Sequence, residues 1–112
     1  MSNNKPKQNP IEQMSMEQMQ QSAAQAAGLL KSMSNAHRLL ILCHLGDGEL
    51  SVSELNESID LSQSSLSQHL ARLRQDGLVK TRRESQTIYY SIAEPVTMNI
   101  IGLLQESYCR VD

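Results

Sequence analysis

The chain has 112 residues, a hydrophobic fraction of 39%, a formal net charge of −2 and three aromatic residues, all of them tyrosines. This length predicts one domain with a modest core built mainly from aliphatic side chains. No apolar run approaches the roughly 20 residues that span a bilayer, and the first ten residues lack a secretory signal, so we expect a cytoplasmic protein without membrane contacts.

The N-terminal region divides into a polar tail and the beginning of a folded domain. Residues 1–14 are polar and contain prolines, which predicts a disordered tail before a single domain over 15–112. Ser15 is predicted to cap the first helix, with Gln18 in the capping-box position. Apolar residues at helical spacing then carry this helix to about residue 33.

Three further helices are predicted before a β-hairpin. The second helix, roughly 35–45, is almost wholly apolar in its later part and should be central and buried. Ser51 is predicted to cap a third helix that runs to about Asp60, and Ser62 to cap a fourth that ends at Gly77. Because only two or three residues link the third helix to the fourth, the pair is predicted to form a helix-turn-helix.

The C-terminal part predicts a β-hairpin followed by one more helix. Residues 78–83 and 87–92 are rich in β-branched and aromatic side chains, and a polar turn over 84–86 joins them. Pro95 suits the first position of a last helix that extends to about residue 109. The predicted fold is therefore mainly α with a β-hairpin wing, a winged helix-turn-helix of order α-α-α-α-β-β-α.

The distribution of charge indicates nucleic-acid binding more clearly than the net charge does. Half of the ten basic residues fall within twelve consecutive positions, and most acidic residues lie elsewhere. A local basic face can attract phosphate because fields in solution act over a Debye length of about 10 Å. The five basic residues of this stretch are Arg72, Arg74, Lys80, Arg82 and Arg83.

The fourth helix has one face for the core and another that suits a DNA groove. Leu66, Leu70 and Leu73 share the core face, and the opposite face carries small hydroxyl and amide side chains that can contact bases or phosphates. His69, between the two faces, is expected to pack against a helix or contact phosphate and not to bind metal. The predicted DNA-binding residues are Gln63, Ser64, Ser65, Ser67, Gln68, His69 and Arg72 on the helix, with Arg82, Arg83 and Gln86 on the wing.

The first and last helices predict a homodimer. Their apolar stripes are too broad for one small chain to cover, so a symmetric dimer through these two helices is expected. Such a dimer would place two recognition helices about 34 Å apart, on an inverted-repeat operator in double-stranded DNA. The alternative is that both helices cover only their own core.

Two cysteines, Cys43 and Cys109, leave more than one interpretation open. One interpretation is two buried apolar thiols, and the other is a redox pair; a permanent disulfide is not expected in a reducing cytoplasm. An enzyme that uses Cys43 and His44 is disfavoured, because adjacent helical residues point about 100° apart. No enzymatic activity, cofactor or catalytic residue is predicted.

Four motifs follow one another in the chain: NAHRLLILCHL, ELSVSEL, LSQSSLSQHLARLRQDGLV and RRESQTIYYSI. In this order, and over about residues 20–109, the chain resembles the ArsR/SmtB family of winged-helix repressors. The resemblance implies a dimer that binds operator DNA and is modulated by an inducer.

The resemblance also points to a class of inducer. Where the family's metal sensors carry thiols, this chain has Ser51 and Ser53, and its last helix lacks histidine, so no metal site is predicted. Cys43 and Cys109 resemble the pair of the family's thiol- and persulfide-sensing branch, in which reactive sulfur or an oxidant bridges the cysteines and weakens DNA binding. The predicted function is thus a thiol-switched, dimeric transcriptional regulator. The alternatives are a metal-responsive or non-switching repressor and a winged-helix module that binds protein.

Overall fold

A computed structural model describes residues 13–109, and in this range the chain forms five helices and a three-stranded antiparallel sheet. The predicted order of helices and hairpin is confirmed, with one additional short strand. Most of the predicted tail over 1–14 lies outside the described residues. The elements are α1 (Met16–Met33), α2 (Ala36–Leu45), β1 (Leu50–Ser51), α3 (Val52–Ser58), α4 (Gln63–Gln75), β2 (Val79–Glu84), β3 (Thr87–Ile92) and α5 (Pro95–Tyr108).

Two capping boxes fix where helices begin, as the sequence predicts. At α1 the Ser15 hydroxyl accepts the Gln18 N–H at 3.1 Å, and the Gln18 side chain accepts the Ser15 N–H at 2.9 Å. Ser51 and Glu54 make the same reciprocal pair at α3, at 3.2 and 2.9 Å. Each box satisfies backbone donors that a helix N-terminus otherwise leaves without partners.

The turn between α3 and α4 begins earlier than the sequence predicts. The third helix ends at Ser58 and not near Asp60, because Ile59 adopts an extended backbone and buries its side chain in the core. The Asn56 side-chain amide donates to the Leu61 carbonyl at 2.8 Å, which closes the turn from the helix side.

A left-handed glycine ends α4. Gly77 has a φ of +81°, and its N–H donates to the Arg74 carbonyl at 3.0 Å, while the Leu78 N–H donates to the Leu73 carbonyl at 2.9 Å. This pair of bonds is a Schellman motif, which favours glycine at the left-handed position. Because Leu78 belongs to this cap, β2 begins at Val79, one residue later than predicted.

The wing is part of a sheet with strand order β1-β3-β2. Leu50 pairs with Tyr90 and Ser51 with Tyr89, so β1 lies along the inner part of the hairpin. The sequence did not predict this strand, because two residues are too few to show an alternating pattern.

The hairpin turn is shorter than predicted. Glu84 pairs with Thr87 at the end of the ladder, which leaves only Ser85 and Gln86 in the turn rather than three residues. Ser85 has a φ of +58°, a left-handed conformation that non-glycine residues rarely adopt.

The core lies where α2, α3 and α4 meet the sheet and α5. The predicted core residues Leu66, Leu70 and Leu73 of α4 are fully buried. The prediction that α2 is buried is correct for one face only, since Leu40 stays 41% exposed. Among the described residues, no helix is long and apolar enough to cross a membrane. The buried hydrophobic residues are Met33, Ile41, Leu42, Leu45, Leu55, Ile59, Leu66, Leu70, Leu73, Leu78, Val79 and Ile101.

Candidate nucleic-acid interface

The exposed face of α4 carries four polar side chains that make no hydrogen bond to another described residue. The leucines at 66, 70 and 73 hold the opposite face in the core, so the helix cannot rotate this polar face inward. Because these hydroxyl and amide groups are exposed and have no partner among the described residues, they can form hydrogen bonds with another molecule. They belong to Gln63, Ser64, Ser67 and Gln68.

The N-terminus of α4 is compatible with an anionic partner. The Ser62 hydroxyl accepts the Ser65 N–H at 3.1 Å, and the first turn contains no acidic residue. Ser65 itself is half-buried. The remaining backbone N–H groups of the first turn and the helix dipole both favour negative charge at this end.

Arg72, at the other end of α4, already has a partner. Its Nε donates to Asp76 at 2.7 Å, four residues later, and this hydrogen bond is the main reason that the pKa of Asp76 is lowered. The pair is exposed, and exposed ion pairs of this kind add little to stability. Arg72 can therefore exchange the carboxylate for another anion at modest cost.

The two wing arginines have different environments. Arg82 binds Glu49 and Glu84 and lies over the Tyr89 ring, whereas Arg83 is exposed and makes no ion pair within the described part of the chain. Adjacent residues in a strand point to opposite faces, which separates the two guanidinium groups. Gln86 is exposed in the turn at the wing tip.

His69 packs against a second histidine. The rings of His69 on α4 and His37 on α2 have centroids 5.7 Å apart and are tilted by 39°. Partial burial, followed by the positive charge of Arg38 and by His37, lowers the pKa of His69. This ring contact joins α4 to α2.

The two cysteines occupy different environments on facing helices. Cys43 is half-buried on α2, and Cys109 is exposed at the C-terminal cap of α5. The Gln105 side chain donates to the Cys43 carbonyl at 3.4 Å, and Cys109 lies one helical turn beyond Gln105, on the same side of α5. Burial first, and the charge of Cys109 second, raise the pKa of Cys43.

The two serines of the ELSVSEL motif, Ser51 and Ser53, lie in different environments. Ser51 is buried and its hydroxyl caps α3, while Ser53 is exposed. On α5, Glu94 uses its carboxylate to accept the Val96 N–H. In the range that the structure describes, no three His, Cys, Asp or Glu residues form a group that could hold a metal ion.

Much of the apolar surface of α1 and α5 is uncovered by the chain itself. In α1 only Ser32 and Met33 are buried, and Met16 and Leu30 are 67% and 54% exposed. On α5, Leu103 and Tyr108 are 64% and 83% exposed.

Sequence reasoning missed two residues that organise this region, Glu49 and Gln105. Both contact residues that are distant along the chain, Arg82 and Cys43, so no local pattern identified them. The sequence shows an excess of acidic residues outside the basic stretch. It does not show which of these residues forms an ion pair with the wing.

Comparisons with known proteins agree on one group of relatives. A sequence profile described as "Bacterial regulatory protein, arsR family" matches residues 35–81. The chain is 50% identical over 99 residues to the transcriptional activator HlyU of Vibrio cholerae, a match that covers 88% of this chain and 92% of HlyU. It is 37% identical over 106 residues to a biofilm growth-associated repressor of Xylella fastidiosa, which covers 95% and 93% of the two chains.

Solved structures give the same result. Reduced HlyU from Vibrio cholerae matches with a TM-score of 0.81 at 50% identity, covering 85% of this chain and 100% of that one. The homodimeric winged helix-turn-helix DNA-binding domain of Mb0332 from Mycobacterium bovis matches with a TM-score of 0.72 at 30% identity, covering 84% and 86%.

Proposed function

This chain belongs to the ArsR family of bacterial transcriptional regulators, and from that membership we propose that it binds operator DNA as a homodimer under the control of a cysteine pair. The family and the winged helix-turn-helix fold are as the sequence predicted. Its relatives are transcriptional regulators and not enzymes, which also agrees with the prediction.

The observation that carries the proposal is the free polar face of α4. The side chains of four residues on the second helix of the helix-turn-helix have no hydrogen-bond partner among the described residues: Gln63, Ser64, Ser67 and Gln68. In this motif the second helix enters the major groove, where amide and hydroxyl groups read base edges. Ser65, His69 and Arg72 flank that face, and Arg72 would exchange Asp76 for phosphate.

The wing supplies contacts to the DNA backbone. Arg83 is an exposed cation without an ion pair in the described chain, and Gln86 lies at the hairpin tip. Contacts from such groups position a protein on the duplex without reading its sequence. They also make the affinity depend on salt, because each neutralised phosphate releases counterions.

The uncovered faces of α1 and α5 support the dimer. Helices in proteins owe most of their stability to packing of an apolar face, yet within this chain α1 buries only its last turn. A groove of about 490 Å³ beside it is lined in part by Ala26, Leu29, Leu78 and Val96. A second copy of the chain would cover these surfaces and place two recognition helices on an inverted repeat, and the Mb0332 relative is described as homodimeric.

The positions of Cys43 on α2 and Cys109 at the end of α5 support the proposal that these two cysteines form the switch. The contact between Gln105 and Cys43 holds α5 against α2, and Cys109 follows Gln105 by one helical turn. Because the pKa of Cys43 is raised by burial, its thiol is mainly protonated near neutral pH and is a poor first nucleophile. The exposed Cys109 is thus expected to react first, and Cys43 to complete the bridge.

With a small-molecule hydropersulfide as inducer, the chemistry has two steps. The Cys109 thiolate takes the outer sulfur of the donor, the donor's S–S bond breaks, and the donor leaves as a thiolate. The Cys43 sulfur then attacks the Cys109 sulfur, releases hydrosulfide and forms a disulfide, with its own proton passing to solvent. The bridge ties α5 to α2 and is expected to change how the two recognition helices are spaced.

Binding of DNA by the reduced and the treated protein tests this proposal. Reduced protein is first used to select sites from random duplex DNA, and fluorescence anisotropy then measures affinity before and after treatment with glutathione persulfide. We expect salt-sensitive binding to a selected inverted repeat that falls at least about tenfold on treatment, with intact mass showing loss of two hydrogens or gain of sulfur.

Two variants distinguish the parts of the proposal. Cys43→Ser and Cys109→Ser should both bind the repeat, and neither should be released by persulfide. Release of the Cys43→Ser protein to the wild-type extent would contradict the switch, and binding without salt sensitivity would contradict the DNA interface. Selection of single half-sites would argue against the dimer.

A further inference from the structure

Arg82 on β2 donates hydrogen bonds from all three nitrogens of its guanidinium group. Nε donates to the two Glu49 carboxylate oxygens at 3.1 Å each, and a second nitrogen donates to Glu49 at 2.5 Å. The remaining nitrogen donates to Glu84 at 2.7 Å, and the group lies 4.8 Å from the centroid of the Tyr89 ring. To bind another anion in place of its carboxylates, Arg82 would have to break ion pairs with two residues, whereas Arg72 would have to break only one.

The same contacts connect the two outer strands of the sheet. Glu49 directly precedes β1, Tyr89 lies on the central strand β3, and Arg82 faces Tyr89 from β2. Ser51 of β1 pairs with Tyr89 from the other side. The Arg82 side chain therefore extends across the central strand to reach Glu49, and the two residues are 33 positions apart in the chain.

We propose that Arg82 is a positioning residue that clamps the wing to the segment before β1, and that Arg83 is the wing arginine that contacts phosphate. The second part rests on the proposed DNA binding, and the first part does not. The assignment separates two neighbouring arginines that the sequence had grouped as equivalent DNA contacts.

The charges around each arginine support this division. Arg82, Glu49 and Glu84 together carry a net charge of −1, so the cluster as a whole does not attract phosphate. Hydrogen bonding to Arg82 also lowers the pKa of Glu49, which keeps this carboxylate ionised into the acid range. Arg83 has no such partners and, as the next residue in the strand, points to the other face of the hairpin.

The salt dependence of DNA affinity distinguishes the two roles. Each lost phosphate contact should reduce the slope of log affinity against log salt by about 0.9. Arg83→Ala is expected to reduce the slope by this amount per wing, whereas Arg82→Ala should leave the slope unchanged while weakening affinity a few-fold. An equal loss of slope in both variants would overturn the assignment of Arg83 as the phosphate contact and Arg82 as the clamp.

Hydrogen exchange tests the clamp without DNA. Arg82→Glu and Glu49→Arg each bring like charges together and should speed exchange of the β2 and β3 amides, while the double variant should exchange more slowly than either. Glu57→Gln, an exposed substitution on α3, serves as the control and should not change exchange. Additive effects of the two charge reversals would contradict the clamp, whatever the result with DNA.

Discussion

Position 69 illustrates how one side chain can couple stability to pH. The pKa of His69 is lowered because partial burial disfavours its charged form, and because Arg38 and then His37 add positive charge nearby. The folded state therefore prefers the neutral ring. Its contribution to the free energy of unfolding is complete above the ordinary pKa of about 6.5 and is lost as pH falls through the lowered value.

Replacement of this residue should make the protein less sensitive to acid. In His69→Gln the side chain no longer titrates, so the free energy of unfolding should fall less than in the wild type between about pH 6.5 and pH 5. Urea unfolding followed by circular dichroism at a series of pH values measures this difference. His44→Gln is the matched control, and a parallel decline in the wild type and His69→Gln would contradict the prediction.

Among the secondary-structure elements, the wing turn carries the clearest backbone constraint. Ser85 has a positive φ and Gln86 does not, although the two residues form the turn together. A β-branched side chain is poorly tolerated in the left-handed region, where the penalty is about 1–2 kcal/mol.

Valine at the two turn positions should therefore have unequal effects. Ser85→Val is expected to lower the free energy of unfolding by about 1 kcal/mol and to speed exchange of the wing amides. Gln86→Val should change both quantities much less. Equal effects at the two positions would show that side-chain polarity, and not backbone conformation, sets the stability of the turn.

The secondary-structure elements also show which features of the fold could be predicted from the sequence. Helix boundaries were predictable where the partners are local, as for Ser15 with Gln18 and Ser51 with Glu54, and leucine spacing identified the buried face of α4. The strand β1 and the partner of Arg82 were not predictable, because their contacts join residues far apart in the chain.

The same limit applies to the candidate site. The sequence predicted polar residues on the exposed side of α4, but only the fold shows which of their side chains have no partner within the described chain. It also grouped Arg82 with Arg83, since residue type does not reveal that Glu49 and Glu84 surround the first of them.

For the whole molecule, the uncovered apolar surfaces of α1 and α5 bear on the proposed homodimer. Leu103 is 64% exposed and Val96, seven residues earlier on the same face of α5, is 49% exposed. Surfaces of this kind usually mark an interface in a soluble protein.

A charge on this surface should dissociate the proposed dimer. Leu103→Glu would place a carboxylate among apolar side chains, so we expect the dimer dissociation constant to rise at least about tenfold, which corresponds to roughly 1.4 kcal/mol. Sedimentation equilibrium measures this change, with Gln75→Glu on α4 as the control. An unchanged dissociation constant would exclude Leu103 from the interface.

Ser51 belongs to two elements, because it pairs with Tyr89 as the last residue of β1 and caps α3 with its hydroxyl. The wing and the helix-turn-helix thus meet in a single residue before any DNA is present. Their mutual orientation does not have to be acquired on the duplex, and little conformational entropy should be lost there. The heat-capacity change of association should accordingly be that of surfaces docking in a preformed arrangement, smaller than the change that accompanies folding coupled to binding.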